Sequence, residues 1–104
     1  MMKIALTVKG VGLGAWLDDD FAHCGFVMIV DDDNQFDAWK NPTPAVEGES
    51  NHALAEIILR EKPDLLMTGK ISAAEKAAFI TQSIQVVENQ TGFVLELLEA
   101  AREK

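Results

Sequence analysis

The chain has 104 residues, 48% hydrophobic and 25% charged, with nine basic against seventeen acidic side chains and a formal charge of −8. That length suits a single domain over residues 1–104 with material for one core. The acidic balance excludes the basic stripe that nucleic acid or an anionic membrane surface requires, and no apolar run approaches the roughly 20 residues that span a bilayer.

Lys3 to Val8 (KIALTV) reads as a buried first strand, and Lys9 to Ala15 (KGVGLGA) as a flexible glycine loop. Cys24 to Val30 (CGFVMIV) is apolar on both faces, which predicts a strand inside the sheet. Asp31-Asp32-Asp33-Asn34 is a turn signal, so Gln35 to Lys40 returns as the second arm of an antiparallel hairpin, ended by Pro42 and Pro44. Ala45 to Glu49 is the longest stretch with no clear structure. Ser50 is placed to cap a helix running to about Glu61 with Leu54, Ile57 and Ile58 inward. Pro63 stops it, and Asp64 to Thr68 is a buried strand ending at Gly69. Ser72-Ala73-Ala74-Glu75 has capping-box spacing and predicts a second helix to about Thr81. Ile84 to Glu88 is a last short strand, after which Thr91 caps a helix burying Val94, Leu95, Leu98 and Ala101. The order β-β-β-α-β-α-β-α predicts parallel crossovers in the second half and one antiparallel strand from the hairpin.

The chemistry concentrates at His23 and Cys24, between the first two strands. A thiolate is a soft ligand for iron or copper, and imidazole can complete an open site. One cysteine cannot hold a four-cysteine cluster, so only a centre that arrives assembled would suit it. The same cysteine also reads as a small buried hydrophobe. His52 stands at a helix start, where backbone N–H groups favour anions, and reads equally as a surface histidine. Gly10, Gly12 and Gly14 lack the dinucleotide spacing; their loop either wraps a ligand, with Trp16 covering an apolar side, or simply connects. Neither aspartate run has calcium-loop spacing, the first strand carries no carboxylate for a two-metal nuclease, and no serine lies in a nucleophile elbow.

In order and spacing the chain resembles the dinitrogenase iron–molybdenum cofactor biosynthesis family, also called the nitrogenase accessory factor family. The resemblance rests on Lys3-Ile4-Ala5-Leu6, Asp20-Phe21-Ala22-His23-Cys24, Phe26-Val27-Met28-Ile29-Val30-Asp31, Asn41-Pro42, Gly48 to Ala53, Gly69 and Thr91-Gly92, and so covers nearly the whole chain. Where the family often carries His, Gly and Arg before the second strand, Asp20, Ala22 and His23 stand here.

What the resemblance implies is a ribonuclease H-like motif, a three-layer α/β/α fold with a mixed five-stranded sheet and one strand antiparallel. It implies a non-catalytic protein that binds, carries or stores an iron–sulfur or iron–molybdenum cluster or its precursor. The expected metal ligands are Cys24 and His23, with Gly10, Gly12, Gly14, Trp16 and His52 around the cofactor. The expected partner is a cluster donor or acceptor protein, the expected state a monomer or weak homodimer. The short N-terminal stretch is no signal peptide and the lone cysteine agrees with a reducing compartment, so a cytoplasmic location is expected. The alternative, motivated by Asp20 and Ala22, is a protein- or anion-binding regulatory module without metal.

Overall fold

The computed structural model describes residues 2–45 and 49–103, so Gly48 and most of the 45–49 stretch lie outside the described residues. The elements are β1 (Ile4–Val8), β2 (Phe26–Val30), β3 (Phe36–Lys40), α1 (His52–Glu61), β4 (Leu65–Met67), α2 (Ala73–Thr81), β5 (Gln85–Val87) and α3 (Val94–Arg102). They form a five-stranded sheet in the order β3-β2-β1-β4-β5. β1 pairs with β4, and β4 with β5, in parallel, while β2 is antiparallel to both β1 and β3. The sheet is therefore mixed with one reversed strand, β2, as expected.

Side chains alternate across this sheet as the two-residue period of a strand requires. Ile4, Leu6 and Val8 of β1, with Met28 and Val30, join Val94, Leu97 and Leu98 of α3 in one core cluster. Ala5, Val27, Ile29 and Leu66 face the other way onto Leu54 and Ile58 of α1 and Phe79 of α2. The sheet is thus sandwiched, with α3 on one face and α1 and α2 on the other. Polar side chains at the sheet's centre are paired, Thr7 Oγ1 lying 2.6 Å from Thr68 Oγ1.

The ends of elements depart from expectation in instructive ways. Asn51, not Ser50, caps α1: its side-chain oxygen accepts from the Leu54 amide at 3.0 Å. Ser72 caps α2 as expected, accepting from the Glu75 amide at 3.2 Å. Thr91 does not cap α3. Phe93 holds that position without a side-chain bond, and the Val94 and Leu95 amides donate instead to the carbonyls of Ala15 and Leu13. A distant loop has replaced a local cap, which no local pattern can announce. Asp18 to Asp20 pass beside the end of β4, bending at Asp19, with Lys70 N donating to Asp19 O at 2.9 Å and Phe21 N to Lys70 O at 2.8 Å. No helix among the described residues is long and apolar enough to cross a membrane.

Candidate functional site

Because β1, β3, β4 and β5 point the same way, their carboxyl ends share one edge. The loops after β1 and β4 open there, and α1, α2 and α3 all begin there. In open α/β sheets, ligands bind outside the carboxyl ends of the strands. Helix N-termini add partial positive charge from unpaired N–H groups to that edge.

A buried amide network shapes its centre. Asn51 Nδ2 lies 3.0 Å from the Ala22 carbonyl, 2.9 Å from Thr43 O and 3.1 Å from Asn41 Oδ1. Asn41 Nδ2 donates in turn to the carbonyls of Ala22 at 3.1 Å and Cys24 at 2.9 Å. The Asn51 amide donates to Glu75 Oε2 at 2.7 Å, and Glu75 Oε1 accepts from Ser72 Oγ at 3.1 Å, tying α1 to α2. One consequence concerns the two histidines. Ala22 and Asn51 directly precede His23 and His52, so the bond between them brings both histidine backbones to one place.

His23 is exposed and tethered at two points. Its amide donates to Asp20 Oδ2 at 2.9 Å, and its Nδ1 lies 3.1 Å from the carbonyl of Ala45. A carbonyl can only accept, so Nδ1 is the donor of this contact, which leaves Nε2 pointing away from it. Fixing one ring nitrogen on a carbonyl is the usual outer support of a metal-bound histidine. His52 is exposed on the first turn of α1 and lines a groove between α1 and α2.

Cys24 is placed differently. It is fully buried among Ala5, Phe21, Val27, Ile29 and Leu54. Burial, and next the negative charges of Asp18 and Asp20, push its thiol from 9.0 up to about 12, against the lowering effect of its hydrogen bonds. Of the two readings of this residue, packing is the one this environment fits. Among the described residues, no three of His, Cys, Asp and Glu come together to hold a bare ion.

The glycine loop lies on the α3 side of the edge. Its ends close on each other, Lys9 N donating to Trp16 O at 2.9 Å, and its carbonyls cap α3. Trp16 is 59% exposed and stacks edge-on against Phe93, ring centroids 6.0 Å apart. Gly10 and Gly14 have open space where a Cβ would stand, so neither is required by crowding. The predicted residues therefore divide into three groups: His23 and His52 on the α1/α2 side, the loop and Trp16 on the α3 side, and Cys24 in the core. Asn41 and Asn51 were missed as site-shaping residues. The Asn-Pro step at Asn41 and the position of Asn51 before a helix were the signals available.

The family model described as dinitrogenase iron–molybdenum cofactor matches residues 2–104. No curated protein sequence matches the chain. Among solved structures, the apo form of the orange protein from Desulfovibrio gigas superposes with a TM-score of 0.85 at 20% identity, covering 99% of this chain and 88% of that one. A Thermotoga protein named as a NifB protein of the DUF35 family gives 0.81 at 17% identity, covering 99% and 89%. A Methanocaldococcus jannaschii protein named as a dinitrogenase gives 0.62 at 16%, covering 95% and 89%. At such identities the structural likeness establishes the α/β fold alone. The match along residues 2–104 does more: the chain belongs to the dinitrogenase iron–molybdenum cofactor family.

Proposed function

We propose that this protein binds, carries or stores an assembled iron–sulfur or iron–molybdenum type metallocluster, or its precursor, as cargo at the carboxyl edge of the sheet, without catalysing a reaction of its own. The observation that carries this reading is His23: exposed, with Nδ1–H committed to Ala45 O and Nε2 left to bind a metal. His52 is the second donor, brought near by the Asn51–Ala22 bond. The N-termini of α1 and α2 complement a cluster of net negative charge. The Lys9–Trp16 loop forms the far rim, where Val11 and Trp16 are exposed, as Gly10, Gly12 and Gly14 let the chain turn around the cargo. Delivery then involves a donor or acceptor protein. Cys24 has no surface role in this reading while the 21–25 turn stays closed.

Anaerobic incubation with a cluster source, followed by gel filtration and metal analysis, tests it. Metal should co-elute near stoichiometric amounts and be lost in His23→Ala. Co-elution undiminished in His23→Ala and in His52→Ala would remove the site. A second reading, a metal-free protein- or anion-binding module, is favoured by Asp20, whose buried carboxylate serves the turn by accepting from the His23 amide. Parent protein that retains no metal yet captures a specific partner would support that instead.

A further inference from the structure

Asn41 stands where β3 ends, opposite Gly25, its backbone amide donating to the Gly25 carbonyl at 2.9 Å. Strand alternation puts its side chain on the face of Trp39, which packs against the cluster that buries Cys24. Asn41 is itself buried there. Two donors fix which way its side-chain amide points. The Thr43 backbone N–H lies 3.2 Å and Asn51 Nδ2 3.1 Å from Asn41 Oδ1, so Nδ2 is the end turned to the carbonyls. It reaches two of them, Ala22 O at 3.1 Å and Cys24 O at 2.9 Å, one on either side of His23.

These carbonyls depend on Asn41 unequally. Ala22 O also accepts from Asn51 Nδ2 at 3.0 Å and from the Ala45 amide at 3.0 Å. For Cys24 O, Asn41 Nδ2 is the one donor among the described residues. The turn does little to hold itself, since its own bond, from the Cys24 amide to Phe21 O, spans 3.5 Å, beyond the usual N–H···O range. Asp20 Oδ2 secures the entry side through the His23 amide. On the exit side the peptide joining Cys24 to Gly25 is held twice, its N–H by Val8 O at 3.1 Å and its C=O by Asn41. Without that side chain the carbonyl would face a buried site unpaired, a cost the turn escapes by opening toward water.

We infer that Asn41 is a positioning residue of this edge: by holding the carbonyls on both sides of His23, its amide keeps the imidazole outward and the thiol inward. Which of two adjacent donors the edge offers is thus set by a side chain from another strand. The inference rests on the cargo reading only for what the histidine holds; the placement is tested without cargo.

The test is alkylation of Cys24 by N-ethylmaleimide in the folded full chain. The reagent meets the thiol only when the turn opens or the whole chain unfolds. Small additions of urea separate these routes, because they promote global unfolding steeply and a local opening hardly at all. Asn41→Ala and Asn41→Asp, the second keeping the side chain's size while losing its donor, should label faster than the parent by the urea-insensitive route. The gain should be at least about tenfold, the scale of stranding one buried carbonyl. Asn51→Ala removes a neighbouring buried amide but leaves Cys24 O its donor, so its urea-insensitive rate should match the parent's. Asn41 variants that label no faster than Asn51→Ala, or faster only by the urea-sensitive route, would overturn the inference. Loss of folding in both would overturn it too, since the amide would then hold up the whole fold. None of these outcomes bears on cluster loading, whose failure in the parent would end the cargo reading alone.

Discussion

A thiol kept from water resists ionisation, and at Cys24 this has consequences for reactivity and for stability. The folded pKa of about 12 exceeds the ordinary 9.0, so the native state holds the proton where the unfolded chain releases it. Stability is therefore constant below about pH 9 and falls as pH rises toward 12, by about 1 kcal/mol at pH 10. Cys24→Ala should lose this alkaline component, while costing stability at neutral pH through the cavity it leaves. Denaturant melts of both proteins at pH 7 and pH 10 would show the difference narrowing at the higher pH. Asn51 makes the opposite case, a polar side chain whose burial is fully used. Asn51→Ala removes a helix cap and leaves the Thr43 carbonyl without its donor, so a loss of about 2 kcal/mol is expected. If equilibrium unfolding showed less than a few tenths, the network would not be holding the edge together.

At the scale of elements, close approach decides which glycines matter. A Cβ at Gly69 would run into the backbone of Asp19, where the 18–21 stretch crosses the end of β4. Gly69→Ala should cost about 3 kcal/mol, the upper range for forcing atoms into a packed site. Gly10→Ala and Gly14→Ala meet nothing and should stay near the parent in thermal unfolding. Matched losses at all three positions would contradict this division. The elements also show what was legible in the residues. The strands, the hairpin turn and the Ser72 cap followed from apolar runs, the aspartate cluster and capping-box spacing, all of them local signals. The start of α3 did not, because its donors are satisfied by Leu13 and Ala15 from a loop about eighty positions earlier in the chain. Asn51 took the cap from Ser50 for a related reason, since its amide also answers Ala22, Asn41 and Thr43.

For the whole molecule, the topology assembles the candidate edge. β2 alone is reversed, so the turn before it returns His23 to the edge where β1 ends and α1 begins. The family resemblance placed His23, Cys24 and His52 beside one cleft, and in the fold the Asn51–Ala22 bond draws the two histidine backbones together. The resemblance could not tell that the side chain next to His23 turns into the core, because neighbours on a short turn can face opposite environments. We propose that cargo is held by the surface histidines and not by the buried thiol. The most direct test is anaerobic cluster loading of the parent, His23→Ala, His52→Ala and Cys24→Ala side by side, with bound metal measured after gel filtration. The expected result is loading in the parent and in Cys24→Ala and its loss in His23→Ala. Loading abolished in Cys24→Ala alone, with that variant still folded, would contradict it and show that the turn opens to present the thiol.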